Sequence, residues 1–460
     1  MPHHDLVVLG AGTGNALIDD RFADLDVAIV SEGPFGGTCL NAGCIPSKML
    51  AATAEVADTV RASGRHNVRA RLDAIVWPQV QERVFDRLDT QSREGEQGRA
   101  DTAWITVYRG AARFTGEREL LVQTSSGSET ITADRIVVVA GGRPAVPPVV
   151  ADSGVAYETS DTVMRLDEVP ARMIVLGGGY IAAELAHVFH SAGTAVTVVE
   201  QRNSLLAQQD ESLARAFTDI ADRQWDLRLG SEVTGVAGNR GNVTVTLDDG
   251  SEIEADTLLV AVGRRPNTDS LEVENAGIAC DDEGLIHVDP QMRTSATGVW
   301  ALGDIADAGA PLKHVANRQA EIVAHNLLHP DRPREMSYDV VPSAVFAHPQ
   351  IAQVGLTEQD ARTQGLDYVV GERRYEDVAY GWALEDTDGF CKVLVDRASG
   401  RLIGAHVLGQ EAAALLQPLV IAMTFDLSVQ DVAERPLWIH PALSEVVENA
   451  LRNAIGKMAG

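Results

Sequence analysis

Two cysteines stand five positions apart in 36-GGTCLNAGCIPSK-48, between a glycine pair and a proline. A metal centre asks for about four ligands. Cys39 and Cys44 have no CxxC or HxxxH partner nearby, so they supply half a site and no metal is expected. The chain has only four cysteines in 460 residues, which is no disulfide framework. That usage fits a reducing cytoplasm, where a structural staple is disfavoured. What remains is a thiol pair that turns over. In a regular helix, residues five apart lie too far from one another for a disulfide, but Gly43 and Pro46 interrupt regularity here. A distorted first turn brings the sulfurs together, and strain makes the bond easier to reduce. A helix N-terminus also favours the thiolate. Cys280 and Cys391 stand alone and read as buried, inert thiols.

A dithiol that shuttles electrons needs a proton handler and an electron source. The first candidate is 438-WIHPALSEVVENAL-451. His440 precedes a proline at a helix start, and Glu445 follows five residues later, able to orient the imidazole and stabilise its charged form. The electron source is suggested by two glycine-rich turns. In 6-LVVLGAGTGNALIDD-20 an apolar run meets a Gly cluster and then a helical pattern, with 27-VAIV-30 as the next strand. Gly10 makes the tight turn, Gly12 admits a pyrophosphate to the backbone, and the helix N-terminus faces the anion. The third glycine of the usual fingerprint falls at Asn15, with Gly14 before it, which leaves close helix–strand packing in question. The second turn, 173-MIVLGGGYIAAELAHVF-189, reads G-x-G-x-x-A at Gly177, Gly179 and Ala182, and its following strand 195-AVTVVE-200 ends in an acid. Two such turns in strand–turn–helix context indicate two dinucleotide sites, one for a flavin and one for a nicotinamide.

The rest of the chain must position these parts. A helical amphipathic pattern runs from about Trp77 to Gln97, followed by short strands, and 135-RIVVVAGGRP-144 returns to the first sheet. The segment 255-ADTLLVAVGRRPN-267 repeats that exit signal, and 299-VWALGDIA-306 is a strand ending in Gly-Asp. The stretch 389-GFCKVLVDRASGRLIGAHVLG-409 alternates around a polar turn as an antiparallel hairpin does, with helices at 411–425 and about 441–456. The reading is an α/β protein: two Rossmann-like dinucleotide-binding domains, for FAD and NAD(P), plus a C-terminal α+β dimerisation domain. The expected division is 1–148 with a return segment 266–335 for the flavin, 149–265 for NAD(P), and 336–460 for the interface.

Bulk properties exclude other classes. Apolar residues are 45% and charged residues 23%, no run approaches a membrane span, and the N-terminus has no basic leader region. A formal charge of −28 argues against nucleic-acid or anionic-membrane partners. A cytoplasmic enzyme is the expectation. A flavoprotein scaffold without turnover has no need of the thiols, His440 and Glu445.

Along its whole length the sequence resembles the pyridine nucleotide–disulfide oxidoreductases, which include glutathione reductase and dihydrolipoamide dehydrogenase. The resemblance rests on GGTCLNAGCIPSK, GGGYIAAELA, VAVGRRPN, ALGD and HPALSE. GAGTGN, 160-SDTVMR-165, 312-LKHVAN-317 and 378-VAYGWALEDT-387 place it nearest the reductases of a low-molecular-weight disulfide. The resemblance implies FAD and NAD(P)H as cofactors and an antiparallel homodimer whose active sites are shared across the interface. It implies that Cys44 is the flavin-facing, charge-transfer thiol and Cys39 the interchange thiol. His440 would protonate the leaving thiolate, with Glu445 behind it. Lys48 would stand beside the flavin N5, paired with Glu184, and Tyr180 beside Ile181 would cover the nicotinamide pocket. Asp304 would contact the flavin ribityl chain, with Thr38 close by. Gly141 and Gly263 belong to the two exit signals and are assigned to the FAD and NAD(P) sites. The acid for the FAD ribose should align at Ser31, and Glu32, one position later, is the expected acid instead. Glu200 suits the ribose hydroxyls of NADH, while Arg202 is placed to reach a 2′-phosphate, so NADH is expected to be at least a competent donor.

Overall fold

The structure, a computed structural model, describes residues 1–458. The chain divides into two compact units. The first comprises Met1–Ser47, Gln81–Ala145 and Arg264–Tyr338. At its centre is a parallel sheet. Strand His3–Leu9 lies between Val27–Ser31 and the last half of Gly127–Val138, with Ile105–Gly116 outside the former and Val299–Ala301 outside the latter. Leu6, Val7, Val8, Ile29, Ile136 and Val137 are fully buried, as expected of strands covered on both faces. The strands expected to be short after the amphipathic helix are long. Ile105–Gly116 and Gly127–Val138 each run twelve residues and leave the parallel sheet to pair antiparallel with Glu119–Thr124. Residues 127–129 are exposed, and buried Ile131 and Ala133 alternate with half-buried Thr130 and Thr132, which marks the half that faces water on one side.

The opening helix is only Thr13–Leu17. A helix this short leaves most of its carbonyls without partners. Arg99, at the end of helix Trp77–Ala100, answers this: Nη2 donates to the carbonyls of Asn15 and Ile18 at 2.7 Å, and Nε donates to Asn15 Oδ1 at 2.7 Å. The packing role left open at Asn15 is filled by Gly14. A Cβ there would lie 2.7 Å from Val8 Cγ1 and 3.2 Å from Val139 Cγ2. The two exit signals do more than end their sheets. Gly142–Pro144 and Arg264–Pro266 pair with each other as an antiparallel ribbon, tied by Arg143 to Asp269.

The second unit comprises Lys48–Val80, Val146–Gly263 and the chain from Asp339 onward. It holds a parallel sheet in the order Asp226–Leu229, Ala195–Glu200, Arg172–Leu176, Thr257–Val260, Glu158–Thr159. A three-stranded antiparallel sheet, Val233–Asn239 to Ala255, packs beside it around Val243 and Val245. A five-stranded antiparallel sheet follows in the order Ser343–Val345, Ile351–Gly355, Leu402–Leu408, Phe390–Asp396, Tyr368–Arg374. The expected hairpin is its pair Phe390–Asp396 and Leu402–Leu408, and helices Ala412–Thr424 and Ser444–Met458 cover it. Among the described residues no helix is long and apolar enough to cross a membrane.

Gly14→Ala is expected to lose about 1–3 kcal/mol through overpacking, read as a lower midpoint in chemical denaturation. Gly98→Ala, where a Cβ meets nothing within 4 Å of its place in the Trp77–Ala100 helix, should be neutral or gain about 1 kcal/mol. Equal midpoints for the two variants would show that Gly14 is not a packing glycine.

Candidate active site

The thiol segment folds as two helices with a break between them. Gly36, in the left-handed region at φ 94°, starts the short helix Gly37–Asn41 that carries Cys39. Ala42 leaves helical geometry at φ −150°, its N–H still donating to Thr38 O at 2.9 Å. Gly43 is needed because a Cβ would stand 2.8 Å from that same carbonyl. Helix Cys44–Ala62 then begins, with Pro46 in its first turn, where a missing N–H costs nothing. The buried Asn41 side chain fixes the break by donating to Phe35 O at 3.0 Å and Gly37 O at 2.9 Å. Cys39 is half-buried, and Cys44 is exposed at the positive end of a nineteen-residue helix. The remaining thiols differ from one another. Cys391 is buried, and burial pushes its thiol up to about 12. Cys280, expected to be buried, is half-exposed, because it sits at an isolated bridge outside the main sheets; partial burial and then Asp281 still raise its thiol.

Around the first glycine turn the backbone packs so closely that side chains are excluded. At Gly10, φ 111°, a Cβ would fall 2.3 Å from Val139 O. Gly12 faces Gly37: the nearest chain atom to a Cβ on Gly12 is Gly37 Cα, at 3.6 Å. A Cβ on Gly141 meets nothing within 4 Å, and the left-handed φ of 61° is what calls for glycine there. Thr38 is exposed, and Arg264 Nη2 lies 3.4 Å from its Oγ1. Burial raises the Asp304 carboxyl above its usual range, against the opposing pull of Arg264 and Lys313. Lys313 Nζ donates to Thr13 Oγ1 at 3.0 Å. Ser31 ends its strand buried, with its hydroxyl donating to Gly33 O at 3.0 Å, while Glu32 is exposed just beyond.

The second turn repeats these features. A Cβ on Gly177 would lie 2.5 Å from Ala261 O. Glu200 Oε2 accepts the Gly178 N–H, and Oε1 accepts the Arg202 N–H at 2.8 Å. Gly179 caps helix Tyr180–Ala192, and both Gly179 and Gly263 are open, with nothing within 4 Å of a Cβ. Tyr180 is exposed and Ile181 half-buried. One turn further, Glu184 is buried and accepts Lys48 Nζ at 2.8 and 2.7 Å. The Phe346 N–H donates to Glu184 Oε1 at 3.0 Å, and its ring lies 4.9 Å from Lys48 Nζ. Gly179, open to a Cβ without a left-handed φ at the N-terminus of a helix, and the close backbone turns at Gly10 and Gly177 leave room that fits dinucleotide phosphates.

His440 precedes helix Ser444–Met458. Its Nδ1 lies 2.8 Å from Glu445 Oε1, and Glu445 Oε2 accepts the Ala442 N–H at 3.2 Å. The imidazole is 71% exposed and the carboxylate 16%. With Nδ1–H held by the carboxylate, Nε2 is left to exchange a proton. Burial works to raise the Glu445 carboxyl, but the hydrogen bonds from His440 and Ala442 bring it below its usual range. Among the described residues no group of three or more His, Cys, Asp or Glu is placed to hold a metal.

Phe346, Arg264, Lys313 and Arg99 were not singled out by sequence reasoning. Arg264 stands inside VAVGRRPN, and that repeated exit signal is the one feature that marks it.

The fold and the two cradles define a flavoprotein disulfide reductase. The model of the pyridine nucleotide-disulphide oxidoreductase family matches residues 4–320, and the model of that family's dimerisation domain matches 341–451. The chain belongs to this family, whose members are NAD(P)H-dependent oxidoreductases with FAD and a pyridine nucleotide as cofactors. It is 46% identical over 458 residues to mycothione reductase of Mycobacterium tuberculosis, covering 98% of this chain and 99% of that one. It is 33% identical over 464 residues to dihydrolipoyl dehydrogenase of Haloferax volcanii, covering 98% and 96%. Among solved structures, the HOCl-induced flavoprotein disulfide reductase RclA of Escherichia coli superposes with a TM-score of 0.85 at 27% identity, covering 98% and 99%.

Because the native carboxyl of Glu445 is held low, its pairing stabilises the fold fully above the ordinary value of 4.5. That contribution is lost as pH falls through the lowered native value. Glu445→Gln should therefore flatten the acid limb of a melting-temperature profile taken from neutral pH down to about pH 3. An unchanged acid limb would show that the pair contributes nothing.

Proposed function

We propose that the enzyme reduces a low-molecular-weight disulfide, mycothione (mycothiol disulfide), through a Cys39–Cys44 redox pair. The observation that carries this reading is the 46% identity to mycothione reductase over nearly the whole of both chains. The helix break between two thiols and the His440–Glu445 pair support the chemistry. The Cys39 thiolate attacks one sulfur of the substrate and forms a mixed disulfide. The first thiol leaves with a proton from His440 Nε2, and Glu445 stabilises the imidazolium before that transfer. Cys44 then attacks the Cys39 sulfur, which releases the second thiol and closes the Cys39–Cys44 disulfide. Bound FAD supplies the two-electron relay from NAD(P)H that restores the dithiol.

Gly10, Gly12, Gly14, Thr38, Gly141 and Asp304 are assigned to the FAD site, with Glu32 for its ribose because the Ser31 hydroxyl is already engaged. Gly177, Gly179, Tyr180, Ile181, Glu200 and Gly263 are assigned to NAD(P)H. Lys48 and Glu184 are assigned to the flavin as a charged pair. The domain limits proposed are 1–148 with 266–335, 149–265, and 336–460, in a cytoplasmic homodimer.

The alternative is a dihydrolipoyl dehydrogenase, favoured by the 33% relatives. A panel of mycothione, glutathione disulfide and lipoamide, each with NADH and NADPH, separates the two. Mycothione should turn over fastest, with NADH a competent donor. Fastest turnover of lipoamide overturns the substrate. A preference for NADPH above about a hundredfold, unchanged in Glu200→Ala, overturns the donor assignment.

We further propose that each site combines Cys39 of one subunit with His440 of the other. Exposed Ile421, Phe425, Leu437 and Ile439, all within the 341–451 dimerisation match and the last two just before His440 in sequence, support a covering partner. Co-expression of Cys39→Ser with His440→Ala, each inactive alone, tests it. Purified mixed dimers hold one intact site and should recover about half of wild-type activity. Mixed dimers that remain inactive place the whole site within one chain.

A further inference from the structure

Lys392 lies in the middle of strand Phe390–Asp396 with its side chain 4% exposed. Its Nζ is 2.7 Å from Asp210 Oδ1, 2.6 Å from Glu358 Oε2 and 3.2 Å from Ser212 Oγ. Asp210 is wholly buried and does several jobs at once. It caps helix Glu211–Ala221 by accepting the Ser212 N–H, and its Oδ2 accepts the Glu358 N–H at 2.8 Å. His406 Nε2 stands 3.9 Å from the same oxygen. Burial alone would raise the Asp210 carboxyl, but His406, Lys392, Ser212 and the Glu358 N–H hold it well below its usual range. Gln359 adds two more ties, accepting the Glu211 N–H at 3.1 Å and donating to Gln209 O at 2.9 Å. Residues 209–212 are thereby fastened to the antiparallel sheet.

The other end of that loop is Glu200, whose carboxylate holds the Gly178 and Arg202 N–H groups. Between the two ends, Leu205 and Leu206 are buried against the glycine turn. The Leu206 N–H donates to Gly178 O at 2.7 Å, and Leu205 Cδ2 would lie 2.9 Å from a Cβ on Gly178. Residues 200–210 thus form a short strap laid over the second glycine turn, held at its far end by a buried ion cluster. Buried ion pairs add little net stability over apolar residues of the same volume, because desolvation offsets their attraction. What such a pair does supply is a fixed geometry, since any other register leaves a charge unpaired in the interior.

We propose that Lys392 is a positioning residue for the nicotinamide dinucleotide. By locking Asp210, it sets the strap that places Glu200, Arg202 and the Gly178–Gly179 turn for the adenosine-ribose end of NAD(P)H. This rests on the assignment of the second glycine turn to the dinucleotide. No contact between Lys392 and the cofactor is involved.

The test uses the FAD-loaded full-length enzyme and reads equilibrium binding of NAD⁺ and NADP⁺ by calorimetry, beside steady-state kinetics. Lys392→Met leaves the buried Asp210 and the half-buried Glu358 without their cation and is the harsher variant. The pair Asp210→Asn with Lys392→Met removes both charges, keeps the helix cap and nearly conserves volume, so it carries the test if the single variant fails to fold. The double variant should weaken binding by about threefold to thirtyfold, raise KM for the nicotinamide with kcat unchanged, and leave disulfide exchange by dithionite-reduced enzyme at the wild-type rate. Lys392→Arg, which restores the charge, should recover part of the affinity. Unchanged affinity in the double variant overturns the positioning role, whatever happens to the melting temperature. Gly179→Val is measured alongside: if it weakens binding and the Lys392 variants do not, only the positioning role falls, whereas unchanged binding in all of them removes the dinucleotide assignment as well.

Discussion

The contact between Gly12 and Gly37 is a backbone-to-backbone constraint that leaves no room for a side chain at Gly37. A Cβ on Gly37 would stand 2.7 Å from Gly12 Cα, closer than two carbon atoms tolerate. The Gly36 N–H also donates to Ala11 O at 2.8 Å. The glycine turn of the first strand and the start of the thiol-bearing helix are therefore one piece of backbone, in direct contact without intervening atoms. This places Cys39 two residues from a turn that the sheet itself holds. Thr38, Arg264 and Asp304 gather at the same spot: Arg264 reaches Thr38 and acts electrostatically on Asp304. The position of Cys39, the thiol proposed to attack substrate, is inherited from strand register.

The same solution occurs twice in one chain. The Gly10 N–H donates to Val30 O and the Gly177 N–H to Val199 O, both at 2.8 Å. Each glycine then crosses beneath the carbonyl of a neighbouring strand end, Val139 in one case and Ala261 in the other, at a distance that no Cβ survives. Strand order follows from this, since the crossing needs a parallel strand on each side of the turn. The two crossings end in GGRP and GRRP, and these short segments pair with each other in a ribbon where Arg265 opposes Arg143. Asp269 lies between those two guanidinium groups, at its shortest 3.8 Å from Arg265. One acid thus offsets the repulsion that the duplicated arginines create.

What was legible in the sequence is what has a local period or a local break. Apolar runs ending in glycine gave both parallel sheets, alternation gave the hairpin at 390–408, and Gly43 with Pro46 marked the break between the cysteines. His440 and Glu445 were legible for the same reason, because they stand five positions apart with a helix start between them. The remainder depends on pairs of polar residues far apart in the chain. Lys392 and Asp210 are 182 positions apart, and Glu184 meets the Phe346 N–H across 162. No pattern of spacing announces such pairs. Lys392 stands inside an apolar strand, where it reads as the outward face of an alternation, yet its neighbours are buried too. The packing left in question at Asn15 was not legible for a related reason: the fingerprint assigns close packing to the residue after Gly14, but the five-residue helix turns Gly14 itself toward Val8.

In the proposed role of His440, a single chain supplies only half of the setting. Glu445 is sheltered and fixed by the Ala442 N–H, so the Nδ1 side of the ring is set. The Nε2 side faces outward with the ring 71% exposed, and Leu437, three residues before it, is fully exposed. A proton donor gains strength from a dry, oriented setting, and an imidazole open to water has only the second of these. Leucine at full exposure has no purpose for a free surface either, since burying it gains about 1.5–3 kcal/mol. Both deficits lie on one short segment of the matched dimerisation region, and one event cures both. A second copy laid over this segment would bury the leucine and exclude water from the imidazole. In a two-fold assembly it would do so at both sites with a single set of contacts. The proposed shared site is in this sense the economical one, because the surface that needs covering and the base that needs drying are the same few residues.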